Sequence, residues 1–313
     1  MKRINLGLIG CGHIANEHLK VIKNLKEVKV ECITSRTEKK CKIFAKKHKI
    51  KKIYKTPIEM ILSEKLDGIL ILVSAENIFN VTKKILKYKI PLFIEKPIGI
   101  SLMQSKILKN IAQRNGTLNM VGVNRRYYSI FKKGLNFIKK NGGLQSVYIE
   151  GNDRIWKLKK KGNIINSWNY INSIHTVDLI RFFSGDTLKI TNKNFQLKNK
   201  RKVFISNIIS KKKILINFKS NLNTVDGWGI KLFGDKSLVA FKPLENGYAI
   251  DENFRRIDFK PDNQDKKFKP GFYNQFKDFI FLIKKQRKRF PMSDINDAYK
   301  SMILVKKIFS LKF

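Results

Sequence analysis

The chain is short of acids, of cysteine and of any long apolar run. Its 313 residues hold 24 Asp and Glu against 66 Lys and Arg, a formal charge of +42. Its three cysteines, Cys11, Cys32 and Cys41, all stand near the start and form no pairing framework. That suits a reducing compartment and points to a cytoplasmic protein. No uninterrupted apolar run approaches the ~18 residues of a membrane span, so no membrane partner is expected. Met1-Lys2-Arg3 before the apolar stretch Ile4 to Cys11 imitates a signal peptide. The stretch is short, lacks a small-x-small cleavage site and runs into His13, Asn16, Glu17 and His18, so it reads as a buried strand. A zinc-ligand cluster, a nucleophile elbow and a P-loop are all absent from the sequence, and no metal is expected.

Arginine is scarce as well, at 12 of the 66 cations. Specific groove readers lean on its planar fork to pair with guanine. Residues 1–120 carry 25 cations and 9 acids, a net +16, and the other +26 lies beyond them, so the excess forms no basic tail. We read it as a Lys-, Ile- and Asn-rich background with no specific nucleic-acid partner. With 42% hydrophobic residues the chain sits close to the usual globular fraction, and its length suits two domains.

The first 120 residues alternate strand and helix. Short apolar runs at Ile4–Ile9, Val28–Thr34, Gly68–Val73, Pro91–Glu95 and Leu118–Val123 read as buried parallel strands. Helical spacing falls at 14–25, 38–49, 58–62 and 77–87, and in a helix capped by Ser101 and stopped at Asn115-Gly116. Repeated β-α-β of this kind implies a parallel sheet covered on both faces.

The first strand runs directly into Gly10-Cys11-Gly12-His13-Ile14-Ala15, the pattern G-x-G-x-x-A, which opens a helix. In that context it is a dinucleotide fingerprint: Gly10 permits the turn, Gly12 admits a pyrophosphate, and Ala15 keeps helix and strand close. The free N–H groups at His13, Ile14 and Ala15 favour the anion. NAD-specific folds place an acid at the tip of the second strand. Here the strand ends Ile33-Thr34-Ser35-Arg36, with Glu31 mid-strand. Ser35 and Arg36, with Lys39 and Lys40 behind, suit a 2′-phosphate. The reading favours NADP(H), with NAD(H) the alternative if Arg36 only stacks on adenine.

Glu95-Lys96-Pro97 closes the fifth strand, at the edge of a parallel sheet where ligands bind. A Lys there can exchange a proton with a substrate hydroxyl. Together with the fingerprint, Asn124-Arg125-Arg126-Tyr127 and His175-Thr176-Val177-Asp178, this chain resembles the glucose–fructose oxidoreductase / inositol dehydrogenase (Gfo/Idh/MocA) family. The resemblance covers nearly the whole chain. It implies an α/β protein with an N-terminal Rossmann domain, placed at 1–122. A C-terminal α/β domain with a large open, mainly antiparallel sheet would follow at 123–313. The closing helices, 272–312, would be free to pack back on the first domain. The implied chemistry is hydride transfer between nicotinamide and a carbinol or carbonyl carbon of a sugar, nucleotide sugar or cyclitol, including a place in surface-polysaccharide synthesis. A homo-oligomer, dimer or tetramer, is implied too.

The resemblance assigns catalysis to Lys96 and His175. It adds Ser74, Glu95 and Lys96 to the cofactor contacts. Its substrate contacts are Lys96, Arg125, Tyr127, Trp168, Asn172, His175 and Asp178, the last either binding substrate or orienting its neighbours. His175 and Asp178 stand three apart on one face of a helix read as amphipathic over 171–183. His18 matches a packing position. The basic run Lys157 to Lys161 would face an anionic substrate, and 251–270 reads as a polar loop or edge meander. Two departures stand out. Ile171 occupies the place, four before His175, where many family dehydrogenases carry Asp, and Ser74-Ala75-Glu76-Asn77-Ile78-Phe79 replaces the usual T-P-x-x-x-H. They open a second reading, a non-catalytic NAD(P)-binding sensor on the same scaffold.

Overall fold

The computed structural model describes residues 3–158, 163–196 and 202–310. The chain divides into two compact units, Met1–Asn124 with Gly271–Tyr299, and Arg125–Pro270 with Lys300–Phe313.

The first unit is built on a six-stranded parallel sheet. In chain order it runs β1 Ile4–Ile9, α1 His13–Ile22, β2 Val28–Thr34, α2 Glu38–His48, β3 Lys52–Tyr54, α3 Pro57–Ser63, β4 Gly68–Ile71, α4 Ala75–Ile85, β5 Leu92–Ile94, α5 Leu102–Asn115 and β6 Asn119–Val121. The spatial order β3-β2-β1-β4-β5-β6 reverses between β1 and β4, which opens a crevice at the carboxyl ends of those strands. Ser101 caps α5 by accepting from the Gln104 N–H at 3.3 Å, and Gly116 ends the helix in the left-handed region. β3 went unread in the sequence because a three-residue edge strand shows no apolar alternation.

The second unit holds α6 Ser129–Lys140, β7 Leu144–Gly151, the short α7 Asn163–Asn166, α8 Ile174–Ser184, β8 Thr187–Gln196, β9 Lys202–Ser210, β10 Leu215–Asn221, β11 Trp228–Gly234, β12 Ser237–Phe241, β13 Gly247–Ile250, β14 Arg256–Phe259 and α9 Asn263–Lys267. Its eight strands lie in the order β14-β13-β12-β11-β7-β10-β9-β8. Every neighbouring pair is antiparallel except β7 with β10. α6 and α8 pack on one face of the sheet, where Phe131 meets Phe241 and Phe183 at ring distances of 4.7 and 5.3 Å. Segment 251–270 contains β14 and α9, so it is ordered structure. Its strand is exposed at nearly every position and forms the sheet's edge, paired antiparallel with β13, which is the edge meander of the two sequence readings.

Two helices close the chain, α10 Phe272–Lys285 and α11 Ile295–Phe309. The segment from Gly271 to Tyr299 belongs to the first unit. Phe272 stacks on the buried His18 at 4.6 Å, the Val121 N–H donates to the Ser293 carbonyl at 2.7 Å, and the Ile295 N–H donates to Asn119 Oδ1 at 2.7 Å.

α8 corrects the sequence reading. It begins at Ile174 after a π-helical turn, Asn169–Ser173, and all eleven of its residues are buried. It is a core helix, so its polar residues need partners inside the protein.

Candidate functional site

In the first unit a cleft of about 490 Å³ opens at the β1–β4 switch. Gly10 turns the chain there at φ +109°, and a Cβ on it would lie 2.4 Å from the Leu72 carbonyl oxygen, so only glycine fits. Gly12 has an ordinary backbone, and a Cβ there would meet nothing within 4 Å. Glycine at this position keeps space open beside the start of α1. Ala15 is fully buried and packs the helix, while Gly10, Cys11 and Gly12 line the cleft. His13 and Ile14 stand in the first turn of α1 without lining it.

The far end of the cleft is basic. Ser35, Arg36, Lys40 and Lys55 line it, and among the described residues no Asp or Glu does. Ser35 accepts from the Cys11 thiol at 3.2 Å. Glu31 is engaged elsewhere: Lys29 at 2.6 Å and Lys52 at 3.3 Å hold its carboxyl below the usual range. Glu38 pairs with Lys42 at 2.6 Å. Lys55 was missed because it lies on the loop after β3, a strand the sequence did not reveal. Ser74 caps α4, lines the cleft and accepts from Asn77 Nδ2 at 2.7 Å.

Glu95 stands just beyond β5. It is 8% exposed, and its Oε2 lies 3.6 Å from His18 Nε2. The same oxygen packs against Gly122, where a Cβ would come within 2.8 Å of it. The carboxylate is thus largely enclosed within the first unit, beside His18. Lys96 follows β5 and is half-buried.

The second unit has its own cleft, of about 290 Å³, at the ends of β7 and β11. Trp168, Asn172, Trp228 and Asp226 line it together with Asp153. The His175 ring lies 5.9 Å from the Trp228 ring, and the Arg125 guanidinium sits 4.5 Å above the face of that indole. Such stacking is an attraction between the cation and the ring face. Trp168, Asn172, His175 and Arg125 thus gather in one region, while Tyr127 is buried at 6% exposure. Of the basic run at 157–161, Lys157 is exposed and residues 159–161 lie outside the described residues.

Asp178 is a second correction. It is 2% exposed. Arg126 Nε and Nη2 donate to its two oxygens at 2.7 and 2.6 Å, and the Ser301 hydroxyl adds a third bond at 2.7 Å. A carboxylate so enclosed holds the helix in place and is removed from the substrate contacts. The sequence reading chose Arg125 and Tyr127 from the motif and passed over Arg126, the residue that pairs. Asp153 and Trp228 were missed too. Neither sits in a local motif, and only the sheet register brings them beside the His175 helix.

Known proteins support the first unit most directly. Residues 4–123 match the oxidoreductase family with the NAD-binding Rossmann fold, Gfo/Idh/MocA. The uncharacterized oxidoreductase YrbE of Bacillus subtilis (strain 168) is 25% identical over 193 residues, covering 59% of this chain and 54% of the relative. The myo-inositol 2-dehydrogenase of Thermotoga maritima is 23% identical over 195 residues, 59% of this chain and 56% of the relative. The matched stretch thus spans about half the length of these curated relatives. The crystal structure of a dehydrogenase from Chromobacterium violaceum superposes over 98% of this chain and 94% of its own, with a TM-score of 0.84 at 15% identity, which establishes a shared fold.

Proposed function

We propose that this chain, whose residues 4–123 match the Gfo/Idh/MocA oxidoreductase family, is an NAD(P)-dependent dehydrogenase or reductase acting on a CH–OH group. The observation that carries this reading is the Gly10–Gly12 cradle: a turn only glycine can make, followed by open space at a helix start. A dinucleotide fits it, with the pyrophosphate at the N–H groups of His13 to Ala15 and the adenine ribose toward Ser35 and Arg36. When bound, the nicotinamide supplies the hydride donor or acceptor. NADP(H) is favoured over NAD(H), because the ribose end presents Arg36, Lys40 and Lys55 and no acid.

Lys96 handles the proton of the reacting hydroxyl, and His175 binds that hydroxyl. Arg125, Tyr127, Trp168 and Asn172 hold the rest of the substrate. The substrate class is a sugar, nucleotide sugar or cyclitol. The last follows the inositol dehydrogenase relative, and the cationic chain suits a nucleotide-linked sugar of surface-polysaccharide synthesis. The protein works in the cytoplasm, where the dinucleotide is supplied. Among the described residues no helix is long and apolar enough to cross a membrane. The outer face of the eight-stranded sheet aligns Leu215, Ser146, Phe233 and Leu238 in one row, with Leu215 55% exposed, and suits a homo-oligomer contact, dimer or tetramer.

The test is a panel of sugars, nucleotide sugars and cyclitols followed in the reduced-nicotinamide absorbance band. Turnover is expected on at least one member, and Lys96→Ala lowers it at least about a hundredfold, the low end for an acid–base group. Unchanged turnover removes Lys96 from the mechanism. Tight NADPH binding with no turnover on any member favours the sensor reading, which the Ile171 substitution motivates.

A further inference from the structure

The acid that Ile171 displaces has a counterpart elsewhere in the second unit. Asp153 stands two residues beyond β7 and is 4% exposed. Its Oδ1 accepts from Asn172 Nδ2 at 2.7 Å, and its Oδ2 accepts from the Ser173 hydroxyl at 2.6 Å. The backbone holds it as well: the Asp153 N–H donates to the Asn221 carbonyl at 2.9 Å. Beside it Asn152 Oδ1 accepts from the Asn221 N–H at 3.0 Å and from Asn221 Nδ2 at 2.9 Å.

Those donors are not scattered. Asn172 and Ser173 end the π-helical turn and stand three and two residues before His175. Trp168 and Trp228 are the aromatic walls of the cleft, and Trp228 also faces the His175 ring. Burial pushes the Asp153 carboxyl above its ordinary range, against the pull of the Ser173 and Asn172 donors. An ion buried at such a cost is stabilising only if its donors stay in place, so it fixes them in turn. With both oxygens already engaged, the carboxylate offers little to a substrate hydroxyl. π-helical turns of this kind concentrate at functional sites, where they re-aim one side chain.

We propose that Asp153 is the positioning residue of the second unit's site. Through Asn172 and Ser173 it locks the turn that aims His175 at the cleft walled by Trp168 and Trp228, where a polyol ring is received. The assignment rests on reading His175 as a substrate ligand. It makes the missing acid before the His a relocation: the carboxylate comes from the end of a strand and orients the helix through Asn172 and Ser173.

The full chain with Asp153→Asn, which keeps the shape and removes the charge, tests this by two independent measurements. By hydrogen exchange, amides 169–176 exchange at least about tenfold faster than in the wild type, as expected when hydrogen bonds to a charged acceptor are weakened. Amides of residues 3–124 stay unchanged. Asn172→Ala, which removes one donor and leaves the acid, loosens the same stretch to a smaller degree and serves if Asp153→Asn does not fold. By kinetics on a turned-over substrate, kcat falls about tenfold or more while the KM for the dinucleotide is unchanged. Unaltered exchange over 169–176 overturns the proposal, as does an unaltered kcat. If the wild type turns over nothing on the panel and the exchange result holds, the oxidoreductase reading falls and the ordering role of Asp153 stands.

Discussion

In the first unit the cleft is built around one tight backbone turn, Gly10 to Gly12, with the ends of β2 and β4 and a few cations about it. In the second it is made of side chains from three separated stretches, 152–154, 168–172 and 226–228. Backbone recognition needs shape, so its requirements are glycines and a helix start. Side-chain recognition needs fixed rotamers, so its requirements are buried partners such as Asp178 for Arg126 and Asp153 for Asn172 and Ser173. The first kind tolerates a varied surround. The second spreads its dependence over buried residues that hold the lining side chains from behind.

The largest effect that would sharpen this contrast comes from Arg126→Ala. It leaves the Asp178 carboxylate buried with the Ser301 hydroxyl as its remaining described bond, and breaking such a pair costs about 3–5 kcal/mol. Urea unfolding is expected to show a loss of that size, and a loss below about 1 kcal/mol would make the pair a surface-like contact. Next comes Gly10→Ala. The positive φ and the 2.4 Å approach to the Leu72 carbonyl predict a loss of roughly 3 kcal/mol or more. NADPH affinity, followed by fluorescence, is expected to fall at least about a hundredfold. Gly12→Ala should separate shape from space: stability within about 0.5 kcal/mol of wild type, with affinity still reduced. Wild-type affinity in Gly12→Ala would break the assignment of the pyrophosphate to that opening. The smallest effect is that of Arg36→Ala. It is expected to weaken NADPH binding about tenfold, the loss of one charge-assisted bond, and to leave NADH nearly unchanged. Equal losses for both cofactors would mean that Arg36 stacks on adenine.

Much of the first unit was legible because its information is local. The strand β2 and the stop of α5 at Asn115-Gly116 agree with the structure almost residue for residue, and the fingerprint falls at the switch of the sheet. The sequence did not show that the Glu95 carboxylate would lie beside His18, because the two are 77 residues apart and meet only when α1 packs beside the end of β5. In the second unit the strands β7 to β12 could be read from their alternation. What the alternation could not show was which residues meet across the sheet. Trp228 pairs with Gly151 in register, and that pairing alone brings its indole to the end of β7. Asp178 was offered as substrate ligand or orienting group, and its burial beside Arg126 decides between them.

The chain enters each unit twice, and this has a consequence for its birth on the ribosome. Synthesis runs from the amino end, so the six strands of the parallel sheet emerge early. At that stage His18 still lacks the Phe272 ring that stacks on it, and Val121 lacks the Ser293 carbonyl. The second unit waits in the same way, since the Ser301 hydroxyl that completes the Asp178 cluster is translated among its last residues. Neither half can finish before the other is nearly made. A nascent chain stalled before Gly271 carries two incomplete cores, exposed together to proteases and chaperones, and both close only when the final helices arrive.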